Sequence, residues 1–479
     1  MAEYLTPGVF IEDNPNPPVI ESVSSSTGGF IGVAQRGEVG KPIFITSWNA
    51  YINNFALGMD SPFLANSDLA YAVYGFFQNG GKRCYVMRVA GSTAKKASFS
   101  SGESSFVIEA KDEGTWGNKL KVAVTANTDV ATNFDITVTL GSENVEVFKN
   151  LTNTSGEENY WIDVLEAQSS YVVGVSGTLT VLSTATALSS GADGTGSTDL
   201  TDTVFTGALE ELDVLDDLNL LCIPGQTSNV VNTALMTYCE GRKDVFAILD
   251  APEASTVDSV LALRKTMSCK NAALYFPWIR VADPLSKVGK LRDCPPCGHV
   301  MGVYARIISE RGVWKAPAGT EATIRGAIEV VTTLTSGDTD VLNPAGVVSI
   351  LPKTNYGSVI WGARDLHPDS SMKYISDVLL DINIKKSVYL GTQQFVFEPN
   401  DPKTWTRVRT TIQAFLDGLW REGALLGDKA SEAYYVKCDE DLNPANVRNQ
   451  GKLICEIGYA NKKPAEFVVF RFSHEVASN

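Results

Sequence analysis

The two ends of this 479-residue chain constrain its fold most, because each has the pattern of a β-strand with little nearby to pair with. The segment from Tyr4 to Asp13 is rich in apolar residues and is followed by Pro15, Pro17 and Pro18. The segment from Pro464 to Phe472 is also rich in apolar residues, and few polar residues follow it. Chain ends usually fray and are polar. A strand with open N–H and C=O groups can instead join the sheet edge of another molecule. The pattern therefore favours assembly over catalysis.

Length, composition and charge limit the classes of protein to which this chain can belong. A chain of this length exceeds one ordinary hydrophobic core, so about three domains are expected. Hydrophobic residues make up 44% of the chain and charged residues 20%, which is typical of a globular protein. The formal net charge of -15 argues against direct binding of nucleic acid.

The sequence predicts no targeting segment and no membrane insertion. The first residues lack the basic start and apolar core of a signal peptide. No apolar run reaches the roughly 20 residues that a membrane-spanning helix needs. The 8 cysteines are scattered along the chain, which fits free thiols in a reducing compartment. We therefore expect synthesis in a cytoplasm.

Strand and helix patterns predict a multidomain α/β fold with an all-β insert. Residues 21–92 alternate apolar strands with two amphipathic helices. From about Gly91 the chain becomes rich in Ser, Thr and Gly with period-two runs, which predicts a sandwich- or barrel-like all-β domain over residues 93–206. Residues 207–345 alternate strand and helix patterns, which predicts an α/β middle domain with a mainly parallel sheet.

Residues 346–462 return to an α/β pattern. A long helix is expected near residues 372–390, with Gly391 as its end, and a strand at 394–397. A second helix begins after Asp401, because Asp is a good N-cap and proline a good first helical residue. The apolar side of this helix is predicted to consist of Trp405, Val408, Ile412, Phe415, Leu416 and Leu419.

Three function classes fit the residues alone: a structural subunit, an α/β hydrolase or oxidoreductase, and a surface module whose β insert binds a glycan or protein.

The run from Cys294 through Cys297 to His299 has the spacing of a metal knuckle or a redox pair. The metal interpretation lacks a second Cys/His pair, although His367 remains open as a distant ligand. The redox interpretation lacks a clear preceding strand and a following capped helix. Two loop cysteines are the favoured interpretation, and no catalytic residue, metal or cofactor is predicted.

Fragments spread in order along the chain carry a more specific signal. Together they resemble the tail sheath proteins of contractile bacteriophage tails and of phage-tail-like particles. The fragments are residues 6–9 (TPGV), 37–48, 70–81, 114–118 (GTWGN), 296–306, 310–319, 361–364 (WGAR), 397–401 (FEPND) and 462–467 (KKPAEF).

The resemblance implies a structural subunit that is not an enzyme. Sheath subunits of this family stack as six-fold rings around an inner tube of a second protein, then collapse to drive the tube through an envelope. The implied partners are further copies of the chain, the inner tail tube protein, and baseplate and tail terminator proteins. The implied location is a virion tail or phage-tail-like particle assembled in a bacterial host cytoplasm.

The resemblance also implies a domain layout. An α+β inner sheath domain near the tube combines residues 21–92 with 346–462, and the middle domain and the β insert lie outward. Residues 1–20 form an N-terminal linking arm and residues 463–479 a C-terminal one. The residues expected to add strands to neighbouring subunits are Tyr4, Thr6, Pro7, Val9, Phe10 and Ile11 in the first arm and Phe467, Val468, Val469, Phe470 and Phe472 in the second.

The helix after Asp401 is the candidate for contact with the tube. Lys403, Arg407 and Arg409 lie in its first half, where positive charge opposes the helix dipole by roughly 0.3–1 kcal/mol per exposed charge. An external acidic surface would offset that cost. An ordinary solvated face is the alternative interpretation of these three residues.

Overall fold

The computed structural model describes residues 20–57, 61–100, 106–196, 198–367, 371–467 and 469–470. By their internal contacts these residues form two compact units. The terminal unit contains the residues up to Ser24, residues 312–314 and the residues from Leu379 onward. The large unit contains the others.

The first part of the large unit has the elements that the apolar pattern predicts. They are β1 (Gly28–Gly32), β2 (Pro42–Ile45), α1 (Trp48–Phe55), α2 (Leu69–Gln78) and β3 (Cys84–Arg88). Every residue of β1 is buried, as expected for a strand inside a parallel sheet. Ser47 caps α1, because its side-chain oxygen accepts a hydrogen bond from the Ala50 N–H at 3.1 Å.

An insert of two antiparallel sheets follows β3. Its elements are β4 (Lys96–Ser100), β5 (Phe106–Glu113), β6 (Leu120–Ala126), β7 (Phe134–Leu140), β8 (Glu143–Leu151), α3 (Trp161–Gln168), β9 (Val172–Gly177) and β10 (Thr186–Ala187). One sheet has the order β10-β6-β7-β8 and the other β4-β5-β9, and their inward side chains share one apolar core. Helix α3 departs from the all-β prediction, because Trp161 and Leu165 on one helical face are fully buried in that core.

The large unit then continues through alternating helices and strands. They are α4 (Asp202–Glu210), β11 (Leu220–Cys222), α5 (Asn229–Arg242), β12 (Phe246–Asp250), α6 (Val257–Arg264), β13 (Ala272–Phe276), β14 (Ile279–Ala282), β15 (Leu291–Cys294), α7 (Cys297–Arg311), β16 (Glu329–Val330), α8 (Ser336–Leu342), β17 (Val347–Lys353), β18 (Gly357–Trp361) and the start of α9 (Ile375–Thr392). Strands β14, β15 and β16 form a small sheet of their own.

One eight-stranded sheet organises this unit, in the order β18-β17-β13-β12-β11-β1-β3-β2. The inner strands from β17 to β3 run parallel, whereas β18 and β2 pair antiparallel at the two edges. Alternate side chains point to opposite faces of a sheet. One face shares an apolar core with α4, α5, α6 and α8. The other face packs on α2 and α7, as shown by the ring contacts of Phe30 with Phe76 and of Phe246 with Tyr304.

The sheet joins segments that the sequence pattern assigns to different domains. Strand β1 pairs with β3 on one side and with the distant β11 on the other. Residues 21–92 and 207–345 therefore build one layer, which also takes β17 and β18 from the segment 346–462. The structure thus groups the chain differently from the expected boundaries, because ladder hydrogen bonds between distant strands leave no local sequence pattern.

Among its described residues, the terminal unit contains the later part of α9, a 3-10 helix at residues 393–395 and five further elements. These are α10 (Pro402–Arg421), α11 (Ala430–Ala433), β19 (Tyr434–Lys437), α12 (Ala445–Arg448) and β20 (Glu456–Tyr459). The predicted start of α10 is confirmed, because Asp401 accepts a hydrogen bond from the Thr404 N–H at 2.8 Å and Pro402 occupies the first turn. The predicted apolar side is buried throughout: Trp405, Val408, Ile412, Phe415, Leu416 and Leu419.

Two local predictions about the end of α9 are wrong. Gly391 lies inside the helix, where the lack of a side chain makes room for the buried Ile20, since a Cβ at this glycine would be 2.6 Å from Ile20 Cγ1. Residues 393–395 form a 3-10 helix in place of a strand. The side-chain amides of Gln393 and Gln394 donate to main-chain oxygens of the preceding turn and so favour helical backbone there.

Candidate assembly surfaces

The C-terminal segment is anchored in the terminal unit just after β20. Leu425 forms an isolated antiparallel bridge with Asn461. The Leu426 N–H donates to the Ala460 carbonyl oxygen at 2.8 Å. The main chain is therefore fixed as far as Asn461, two residues before the predicted arm begins at Lys463.

Beyond this anchor the described residues 462–467 and 469–470 form neither helix nor strand. The side chains of Phe467, Val469 and Phe470 are 73%, 76% and 76% exposed. Large apolar side chains grouped at the surface mark places where another surface can bind. Val468 and Phe472 lie outside the described residues, and the addition of this segment to another subunit's sheet stays a prediction.

The N-terminal segment is anchored on helix α9 of the same unit. The Val23 N–H donates to Ser387 Oγ at 3.0 Å, and Asn383 Nδ2 donates to the Val23 carbonyl oxygen at 3.0 Å. Ile20 is 4% exposed. The arm residues predicted upstream lie outside the described residues: Tyr4, Thr6, Pro7, Val9, Phe10 and Ile11.

One hydrogen bond joins α9, on which the N-terminal segment is anchored, to β20, the strand that precedes the C-terminal anchor at Asn461. Tyr459 on β20 donates its hydroxyl proton to Asp381 Oδ1 on α9 at 2.5 Å. Lys385 Nζ lies 2.5 Å from the other carboxylate oxygen of Asp381. Burial raises the pKa of Tyr459, so its hydroxyl remains a donor at neutral pH. Sequence reasoning missed this pair, because no local spacing connects residues this far apart.

The three predicted tube-contact residues have different surroundings on α10. Lys403 is exposed. Arg407 Nη1 lies 3.2 Å from Glu398 Oε2, and its guanidinium carbon is 5.4 Å from the centre of the Phe395 ring. Arg409 is half-buried. Part of the predicted positive charge therefore serves contacts within the unit.

An exposed apolar turn precedes α10 and was not predicted. Val396 is 57% exposed, and the Phe397 side chain is fully exposed. The backbone of Phe397 has a φ of 68°, in the left-handed region that bulky residues rarely adopt. The apolar residues of this turn belong to the segment 394–397, for which the sequence pattern predicts a strand.

The residues that suggested enzyme chemistry lie inside the large unit. Cys294 is the last residue of β15 and Cys297 the first of α7, so the prediction of loop cysteines is wrong. Burial raises the pKa of both thiols well above its ordinary value. Burial also lowers the pKa of His299 to about 4. Both cysteines are buried, whereas His367, the open candidate for a distant metal ligand, is exposed.

Two absences hold for the described part of the chain. No group of three or more His, Cys, Asp or Glu side chains is placed to hold a metal ion there. Within the same residues, no helix combines the length and apolar character that a bilayer span requires.

Comparison with known proteins gives consistent matches. The family model of the phage tail sheath protein central domain matches residues 193–365, and that of the phage tail sheath C-terminal domain matches residues 367–475. A prophage major tail sheath protein of Pseudomonas aeruginosa (strain UCBPP-PA14) is 27% identical over 257 residues, which cover 53% of this chain and 64% of that protein. The tail sheath protein of Salmonella phage ViI is 26% identical over 237 residues, which cover 47% of this chain and 36% of that protein. The matched region is thus shorter than two thirds of either relative.

Solved structures share the fold over nearly the whole chain. The sheath complex of an extracellular contractile injection system, PVC, in its contracted state has a TM-score of 0.64 and 22% sequence identity, with 99% of each chain covered. A sheath tail protein from Listeria innocua has a TM-score of 0.65 and 15% identity, with 88% of this chain and 90% of that chain covered. Together the two family models span more than half of the sequence. The chain therefore belongs to the phage tail sheath protein family.

Proposed function

We propose that this protein is a structural subunit of a contractile tail sheath. It polymerises as stacked hexameric rings around an inner tail tube and contracts to drive the tube through a cell envelope. Its partners are further copies of itself, the inner tube protein, and baseplate and tail terminator proteins. It works in a virion tail or a phage-tail-like particle without catalysis, a cofactor or direct contact with nucleic acid.

The observation that carries this proposal is where the described segments next to the two arms are anchored. The described N-terminal and C-terminal segments are both anchored in the terminal unit, and the C-terminal segment presents exposed Phe467, Val469 and Phe470. An apolar segment outside its own sheet is suited to pair with the sheet edge of a neighbour.

Strand addition suits a shell that must change shape without falling apart. Each main-chain hydrogen bond contributes about 0.5–1.5 kcal/mol net. Several such bonds in each arm, repeated around a ring, hold subunits together while other interfaces break. Pro15, Pro17 and Pro18 favour an extended tether between the first arm and its anchor.

In this proposal contraction is a rigid-body rotation of subunits about their arms. The extended form is trapped behind a barrier, so its persistence is kinetic. The terminal unit contacts the inner tube. Most of the shape change then occurs between subunits and leaves the large sheet intact.

A single-residue test separates strand addition from simple apolar contact. Val469→Pro removes a main-chain N–H from the arm, whereas Val469→Thr keeps the N–H and a β-branched side chain. We expect the proline variant to fold but to form no long tubes in negative-stain electron microscopy, and the threonine variant to assemble. Normal assembly of both variants would contradict the arm model.

We also propose that the first half of α10 contacts the tube. Lys403 supplies an exposed charge, and Arg407 and Arg409 add to the positive potential. Reversal of all three charges to Glu should abolish assembly on tubes and change its salt dependence. Lys429→Glu, at another exposed lysine of the unit, is the matched control. Unchanged assembly and salt dependence in the triple variant would reject this contact.

A further inference from the structure

Two cysteines of the terminal unit face each other across the β19–β20 ribbon. The antiparallel register pairs Tyr434 with Tyr459 at one end and Lys437 with Glu456 at the other. The next residues in this register are Cys438 and Cys455. Both are free cysteines.

The hydrogen-bond pattern places the two cysteines where a cross-strand disulfide can form. At the far end of the ribbon, the Ala460 N–H donates to the Ala433 carbonyl oxygen at 2.9 Å. Hydrogen-bonded and non-hydrogen-bonded pairs alternate along an antiparallel ladder. Counting from Ala433 and Ala460, the Cys438–Cys455 pair falls at a non-hydrogen-bonded position. Cα atoms of such pairs are about 4.5 Å apart, within the roughly 4.4–6.8 Å that disulfides span.

The loop between the cysteines is fixed by one buried amide. Asn443 is fully buried. It donates to the carbonyl oxygens of Asp439 at 3.0 Å and Ile454 at 2.9 Å, and it accepts from the Ile454 N–H at 2.6 Å. Because Asp439 and Ile454 are the immediate neighbours of the two cysteines, the amide holds the thiols in place before any bond forms.

The hydrogen bond between the two thiols decides which sulfur carries the proton. A hydrogen bond from Cys455 and the positive charge of Arg409 lower the pKa of Cys438. The same hydrogen bond and burial raise the pKa of Cys455. The thiolate is the form that attacks a disulfide. Cys438 is 2% exposed and Cys455 is half-buried, so Cys455 is the sulfur that a soluble disulfide can reach.

We propose that Cys438 and Cys455 are a redox modification site that closes to a disulfide when the protein leaves reducing conditions. The oxidant is a low-molecular-weight disulfide such as oxidised glutathione. Cys455 passes its proton to the Cys438 thiolate and attacks one sulfur of the oxidant, and the glutathione thiolate that is released takes that proton from Cys438. The Cys438 thiolate then attacks Cys455 Sγ and expels the second. The two cysteine protons end on two glutathione molecules, and the protein loses two electrons.

The new bond would secure the base of the C-terminal arm. Tension on the arm enters β20 beyond Tyr459, at the end of the ribbon opposite the cysteines. A disulfide at the opposite end of the ribbon would prevent this tension from pulling out the residues that precede Cys455. This mechanical consequence rests on the proposed sheath function, whereas the chemistry of the pair does not.

The test uses the full-length protein in glutathione buffers of increasing oxidation, with free thiols alkylated before intact-mass measurement and peptide mapping. We expect a species in which two fewer cysteines are alkylated and a crosslinked peptide joins Cys438 to Cys455. Cys269 and the other buried cysteines should remain reduced, so they should still be alkylated once the protein is denatured. Cys455→Ser should abolish this species and Cys269→Ser should not. If the wild-type peptides at 438 and 455 remain reduced in fully oxidised glutathione, the proposal is overturned, whether or not the variants fold. A crosslink that forms without any change in arm retention under load would reject only the mechanical role.

Discussion

The large unit protects the edges of its main sheet, whereas the terminal unit carries an exposed apolar segment. At one edge of the large sheet, Ile324 and Ile360 extend the hydrogen bonding beyond β18, through bonds to Ser358 and Ala322 at 2.8 and 3.1 Å. At the other edge, β2 has only four residues. Short and covered edges are the usual protection against pairing with another chain.

The terminal unit has no comparable sheet among its described residues. Its strands β19 and β20 form a two-stranded ribbon, an arrangement that is marginally stable alone. The chain then passes Asn461 into the exposed segment with Phe467 and Val469. The difference teaches that one chain can combine a unit built on a large sheet with a unit that exposes an apolar segment, and the proposed function assigns the second unit to contacts between subunits.

The most severe way to break the large unit is to add volume between α2 and α7. A Cβ at Gly298 would lie 2.4 Å from the main-chain Cα of Ala72, so Gly298→Val forces the two helices apart. We expect a loss of about 3 kcal/mol or more in the free energy of unfolding, measured with urea. Gly241→Val on α5, where nothing lies within 4 Å, is the control and should change stability by about 0.5 kcal/mol or less. Equal effects of the two variants would show that the helices do not pack as described.

A change of pH should distinguish the two units, because their stabilities depend on pH with opposite sign. Burial raises the pKa of Asp250 in the large unit from 3.8 to about 7. A raised carboxyl pKa means that the folded state binds the proton more tightly, so the large unit should lose stability as pH rises from about 4 to about 7. At about 1.4 kcal/mol per pKa unit this loss amounts to a few kcal/mol. Asp250→Asn should flatten the slope measured by urea unfolding across that range.

Asp401 in the terminal unit gives the contrary slope. Its hydrogen bond from the Thr404 N–H lowers its pKa. The cap therefore stabilises α10 above the unfolded pKa near 3.9 and loses that effect as pH falls through the folded value. Hydrogen exchange should show β12 better protected at pH 4 than at pH 7, whereas the first turn of α10 should keep its protection at pH 4 and lose it only as pH falls further. Parallel changes in both regions would contradict these assignments.

The smallest predicted effect concerns the anchor of the C-terminal arm. Tyr459→Phe removes the hydrogen bond to Asp381 and should cost about 1 kcal/mol, seen as faster hydrogen exchange in β20 without change in the large unit. Tyr435→Phe is the matched control, because the exposed Tyr435 bonds Glu456 within the same ribbon. A larger effect of the control would mean that the link to α9 does not secure the strand.

Local chemistry in the sequence predicted the elements well where one face or one end of an element decides the structure. The cap at Asp401, the six buried side chains of α10 and the apolar strands β12 and β13 all follow from such patterns. Features that depend on distant contacts escaped prediction. The place of β1 beside β11, the burial of Trp161 on α3 and the Asp381–Tyr459 bond are set by packing.

The candidate surfaces divide in the same way. The apolar character of the C-terminal arm was visible in the sequence, and its exposure at Phe467, Val469 and Phe470 agrees with a segment that binds elsewhere. The pairing of Arg407 with Glu398 was not visible, because the residues just before Glu398 were predicted as a strand and form a turn. In the arm model the partner of each arm lies on another molecule, and one chain does not contain that information.

A cryo-electron microscopy structure of the assembled protein tests the central claim most directly. The account predicts that residues 464–470 of one subunit form main-chain hydrogen bonds with a sheet edge of a neighbouring subunit. A structure in which this segment and the N-terminal segment both pair within their own subunit would contradict it.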